Sequence, residues 1–280
     1  MTLQILHIWN IGGAALIAKT MNRLFPDCHS TVIMRKIWDT WGLTTYGQLA
    51  GEGMLWNVGP IMFVAKALLF ARRFDIIHVH ALDKIVPWIK LVYPKKPVIL
   101  QYHGTDIREQ WRNPKKVKLW NKADALVVWT SDLLEGAPPN VICLANPVDT
   151  ELFSPKGHQI KNDKAFHFSY YADEEATAIA KRMNLSLVIH DRDKEPIPHH
   201  KMPDVLSQYE YYVDVKRQSP STPILSSLSR TALEALACGT KVVTWTGDVV
   251  ANLQRQHKPD NAVETLWQVY RNVLDKYRSN

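Results

Sequence analysis

SRTALEALACGTKVV, from Ser229 to Val243, reads as a helix that feeds directly into a buried strand. Ser229 suits a helix cap, where its hydroxyl accepts an N–H bond from the first turn. Ala232, Leu233, Leu236 and Ala237 recur at helical spacing, and Gly239 suits the left-handed position that ends a helix. Lys241 to Trp245 follows as a β-rich run, which makes the stretch half of an α/β unit. Glu234 stands one turn into this small, apolar helix. Read from the residues alone, its carboxylate either faces solvent or accepts hydrogen bonds in a binding site, where two oxygens match the two hydroxyls of a ribose.

Outward from this stretch the chain keeps alternating strands and helices. Leu3 to Trp9 reads as a first strand, Asn10-Ile11-Gly12-Gly13 as a turn, and Ala14 to Leu24 as a helix. That order gathers backbone N–H groups and a positive helix end where an anion can sit. Thr31 to Met34, Asp75 to His80, Pro97 to Gln101 and Asp124 to Thr130 are further strands; Ile61 to Phe74 and a basic run from Lys115 to Ala123 are helices. His78 and His80 share one face of their strand, a pairing that fits a metal but comes with no third ligand. In the second half, Ser154 to Lys164 is a polar hinge, Ala165 to Tyr170, Leu185 to His190 and Tyr211 to Val215 are strands, and Asp173 to Met183 is a helix. A last amphipathic helix runs from Asp260 or Asn261 through Lys276.

Four motifs resemble the retaining, nucleotide-sugar-dependent glycosyltransferases of family four. EALACGTKVV is similar to their EA-(M/L)-A-x-G-x-P-V-V signature, and FDIIHVH (Phe74 to His80) to their D-x-x-H-x-H strand end. HGTD (His103 to Asp106) resembles their H-G-x-D, and NPVDTELF (Asn146 to Phe153) the octet that closes their first domain. The resemblance implies an α/β chain of GT-B fold: two Rossmann-like domains facing a cleft, the second reduced. It places the first domain at 1–153 and the second at 154–260, with the helix 261–280 returning to the first. It implies transfer with retention and neither a cofactor nor an obligatory metal, the leaving phosphate taking the acceptor's proton.

The family's residue roles carry over where the motifs match. Glu234 would bind the donor ribose, His103 the transferred sugar, and Asp106 would orient His103 or meet the acceptor. Gly12 and Gly13 would approach the diphosphate, His80 would line the cleft and His78 would pack. Two departures stand out. Members carry an Arg and, five residues on, a Lys after the second domain's first strand; here Tyr170 to Glu175 is acidic. They also carry a Glu eight residues before the ribose Glu, a place held here by Ser226. Lys216 and Arg217 are candidates to supply the missing positive charge to a phosphate. The alternatives are a sugar-nucleotide epimerase of the same fold and a degenerate member that binds without turnover. Asp191-Arg192-Asp193 has the D-x-D form that holds a divalent ion in other glycosyltransferases, but two α/β halves and a linker favour the metal-free class.

Composition narrows the partners. The chain of 280 residues is 46% hydrophobic and 22% charged, ordinary values for a globular protein. No apolar run reaches the length of a membrane span, and the first residues lack a signal peptide's pattern. Three scattered cysteines suggest a reducing, cytoplasmic setting. A formal charge of +7 favours anionic partners. Nucleic acid is not expected, since no nucleic-acid motif occurs. A nucleotide-sugar donor and a glycan or lipid-linked acceptor are expected. Tryptophans 38, 41 and 56 beside the basic groups of the first half raise a third partner, an anionic membrane surface.

Overall fold

The computed structural model describes residues 2–9, 13–39, 53–108, 110–113, 115–157, 161–191 and 193–278. Gly12, Trp41 and Arg192 therefore lie outside the described residues. The chain forms two compact units, one of Met1–Pro147 with Pro259–Asn280 and one of Val148–Lys258.

The first unit holds β1 (Leu3–Ile8), α1 (Ala14–Leu24), β2 (Cys28–Arg35), β3 (Gly53–Trp56), α2 (Pro60–Ala71), β4 (Ile76–His80), α3 (Val86–Val92), β5 (Val98–Tyr102), β6 (Ala125–Val128) and β7 (Val141–Cys143). All seven strands are parallel, in the order β3-β2-β1-β4-β5-β6-β7. Alternation along each strand builds two cores. Leu6, Ile8, Ile77, Val79 and Leu100 meet the inner faces of α2 and α3. Ile5, Ile76, Ile99 and Val127 meet α1 and the closing helix α7 (Pro259–Arg278) on the other side.

The second unit holds β8 (Lys161–Phe168), α4 (Asp173–Arg182), β9 (Ser186–His190), α5 (Met202–Leu206), β10 (Tyr209–Asp214), α6 (Arg230–Ala237), β11 (Lys241–Thr244) and β12 (Val249–Val250). Its sheet runs β12-β11-β10-β8-β9 and is parallel except for the β11–β12 pair. α5 and α6 pack on Phe166, Tyr212 and Val242, while α4 covers Ala165, Val213 and Val243.

The caps of α6 form as the sequence predicts. The Ser229 hydroxyl accepts from the Ala232 N–H at 3.0 Å. Gly239 takes φ +84°, its N–H bonds the Leu236 carbonyl, and the Thr240 N–H reaches back to Ala235 at 3.0 Å. That is the paired bonding of a Schellman C-terminus, which favours glycine at the left-handed residue.

Two expectations are corrected. The basic run from Lys115 to Ala123 is no helix beyond a short 3-10 turn at Leu119–Lys122, because Asn113 accepts the Lys115 N–H in a local turn and only Trp120 is buried. The hinge expected through Lys164 ends earlier, since β8 already pairs from Lys161.

Candidate functional site

In the first sheet the strand order reverses between β1 and β4. The carboxyl ends of strands at such a reversal are where open α/β sheets bind ligands. Gly13 stands there at φ +100°, a left-handed backbone that glycine adopts without strain, and α1 starts at the next residue. Four histidines stand there too. His7 on β1 and His78 on β4 are direct register partners, His80 follows two residues on, and His103 lies just past β5.

Hydrogen bonds link three of them in series. His7 Nδ1 lies 3.0 Å from His80 Nε2, and His80 Nδ1 lies 3.3 Å from His103 Nε2. His78 stacks on His80 with ring centroids 4.2 Å apart, and its Nδ1 meets the Tyr270 hydroxyl of α7 at 2.6 Å. His7, His78 and His80 are fully buried. Burial pushes His7 down to about 3 and holds His78 and His80 well below the ordinary histidine value, helped by the neighbouring imidazoles. All three are therefore neutral at pH 7.

A neutral imidazole donates from one ring nitrogen and accepts at the other, so His80 takes one of its two imidazole neighbours as acceptor and the other as donor. The three ligating nitrogens of His7, His78 and His80 also lie within 4.8 Å of one another, so a third ligand for the strand pair exists after all. Both nitrogens of His80 are taken by imidazoles, however, and a metal would have to break that chain.

Asp106 organises the loop that carries His103. Its two oxygens accept the His103 N–H at 3.1 and 3.0 Å, and Oδ1 accepts the Gly104 N–H at 2.6 Å. Burial raises its carboxyl, and those backbone bonds pull the other way. Asp106 therefore fixes the backbone on which the His103 ring stands. His80 does not face solvent, being sealed behind His103, because α7 covers that face of the sheet.

In the second unit the remaining candidates gather at the carboxyl end of β10 and the start of α6. Glu234 is 4% exposed, and its Oε1 accepts from Arg230 Nε at 3.0 Å and meets His199 Nε2 at 3.3 Å. Burial raises its carboxyl, but His199 and Arg230 outweigh burial and the net shift is downward. Oε2 takes no hydrogen bond among the described residues.

Lys216 donates to the Ser227 carbonyl at 2.6 Å, and Arg217 donates to the Thr222 carbonyl at 2.7 Å while pairing with Glu175. Both cations thus brace the loop that leads to α6, on which Ser226 is exposed. Glu175 belongs to the acidic segment Tyr170 to Glu175, and Arg217 holds its carboxyl below the ordinary value. Asp191 accepts the Asp193 N–H and pairs with Lys194, so the D-x-D aspartate closes a turn. His7, Tyr270, His199 and Arg230, which sequence motifs did not flag, are the hydrogen-bond partners of these candidate residues.

The sequence matches no protein-family model and no curated protein. Solved structures do match. AviGT4, a glycosyltransferase involved in avilamycin A biosynthesis, aligns with a TM-score of 0.66 at 12% identity over 98% of each chain. HepE of Anabaena, in complex with UDP-glucose, aligns with a TM-score of 0.55 at 12% identity, over 99% of this chain and 100% of its own. The UDP-GlcNAc 2-epimerase of Methanocaldococcus jannaschii gives 0.55 at 12% identity, over 97% and 100%. The chain has the GT-B fold. It is the fold of nucleotide-sugar glycosyltransferases, and the epimerase shares it.

Proposed function

We propose that this chain is a retaining glycosyltransferase of the family-four kind, moving a sugar from a nucleotide diphosphate to an acceptor hydroxyl. The observation that carries the reading is His103, held by Asp106 and His80 at the switch point of a GT-B first unit. In this reading His103 contacts the transferred sugar, Gly13 and the start of α1 face donor phosphate, and Glu234 offers Oε2 to the donor ribose. The sugar's C1–O(phosphate) bond breaks as C1 bonds to the acceptor oxygen. The acceptor's proton passes to the leaving phosphate, so no protein nucleophile is needed. Rate would come from orientation and from stabilising the departing diphosphate. The acceptor is a glycan or a lipid-linked hydroxyl, the latter presented at the cytoplasmic face of a membrane.

A second reading is favoured by the fold shared with the epimerase, and a third, binding without turnover, by the pairing of Arg217 with Glu175. Proton NMR of the enzyme with UDP-sugars, with and without glycan and lipid-linked acceptors, separates the three. A glycoside keeping the donor's anomeric configuration supports the proposal. An inverted glycoside, an epimerised sugar without acceptor, or binding with no product overturns it.

A further inference from the structure

Between Pro60 and Lys96 the first unit turns large apolar side chains to solvent. α2 buries Phe63, Ala67 and Ala71 at four-residue spacing. An ordinary surface helix is polar on the opposite side, but here Ile61 is 86% exposed, Met62 55% and Leu69 75%. α3 does the same: Val86 and Ile89 point inward, while Trp88, Leu91 and Val92 are 55%, 72% and 50% exposed. The helices are tied together, Tyr93 Oη donating to the Leu68 carbonyl at 3.0 Å and Lys96 Nζ to that of Ala71 at 3.0 Å. Single exposed apolar residues are normal, whereas six on two joined helices mark an interaction surface.

Charge identifies what fits this surface. From Pro60 to Lys96 there are seven lysines and arginines against two aspartates. One of those aspartates, Asp83, is buried. Lys66, Arg72, Arg73, Lys84 and Lys95 are exposed in the same segment. The basic segment at Lys115 is anchored beside α3 by Lys116, 3.7 Å from Asp83. A second copy of the chain on the same face would set cation against cation. An anionic bilayer satisfies both features, since apolar side chains enter the interface and nearby Lys and Arg side chains are attracted to its negative surface. Two of the tryptophans that first suggested a membrane pack against aromatic neighbours instead. Trp38 packs on Trp9 and Phe63, and Trp56 on Phe63 and Phe70.

We infer that the outer face of α2 and α3 docks the chain on an anionic lipid bilayer. α2 begins at the carboxyl end of β3 and α3 at that of β4. Their first turns, with Ile61, Met62 and Trp88, therefore stand at the end of the sheet that carries His103. A hydroxyl on a lipid would be presented on the side where the proposed chemistry takes place, although docking itself does not depend on that chemistry.

Co-sedimentation with phosphatidylcholine vesicles, with and without phosphatidylglycerol, tests it. The protein should pellet only with the anionic vesicles, and less as salt rises. Leu69→Glu with Leu91→Glu, both already in water, should fold normally by circular dichroism. It should lower the partition coefficient about a hundredfold, the loss of two interfacial leucines. Arg72→Glu with Arg73→Glu should weaken binding most at low salt. A wild type that stays in the supernatant at low salt overturns the inference. So does a folded Leu69→Glu/Leu91→Glu variant that binds as well as wild type, or a dimer that this variant dissociates.

Discussion

His103→Ala is expected to lower transfer or donor hydrolysis about a hundredfold, the usual scale for a hydrogen-bonding group aimed at a reacting centre. Affinity for the nucleotide diphosphate without its sugar should stay within about twofold, because the residue is assigned to the sugar alone. The ring is held from two sides. Asp106 fixes its backbone through the His103 and Gly104 N–H groups, and His80 fixes its Nε2. Alanine removes the ring and leaves both supports in place. An equal loss of turnover and of nucleotide affinity would move His103 to the nucleotide or make it a structural residue.

Glu234→Ala is expected to weaken nucleotide-diphosphate binding by about 1–3 kcal/mol, the cost of stranding hydrogen-bonded groups. This is roughly a 5- to 150-fold rise in Kd. The structure adds a second consequence. Oε1 holds Arg230 and His199, so alanine also leaves those groups without their buried acceptor and lowers the melting temperature. Glu234→Gln separates the two effects, since its carbonyl oxygen keeps one acceptor for Arg230. Titration calorimetry and thermal melts of both variants provide the check. A destabilised alanine variant with unchanged nucleotide affinity would make Glu234 a packing residue only.

The legible parts of this chain were those written in consecutive residues. Ser229 and Gly239 bracket α6 through bonds within one or two turns, so the caps could be read directly. HGTD marked a loop whose aspartate bonds N–H groups two and three residues away. What could not be read depends on pairs far apart in sequence. His7 looks like any buried strand residue, and its partner His80 is 73 residues on. Tyr270 reaches His78 from 192 residues away. Arg217 appeared available for phosphate until folding set it against Glu175. From the sequence, Ile61 to Phe74 reads as a helix. Only the structure shows which positions face outward, and that these are apolar as well.

The central claim is that a GT-B chain with these residues binds a nucleotide-linked sugar, and titration calorimetry of the wild-type protein against UDP, UDP-glucose, UDP-GlcNAc and their guanosine and deoxythymidine counterparts tests it most directly. Saturable one-to-one binding of at least one nucleotide-sugar is expected, tighter than that of its nucleoside monophosphate and weakened by Glu234→Gln. No heat of binding from a folded protein across the whole panel would contradict it.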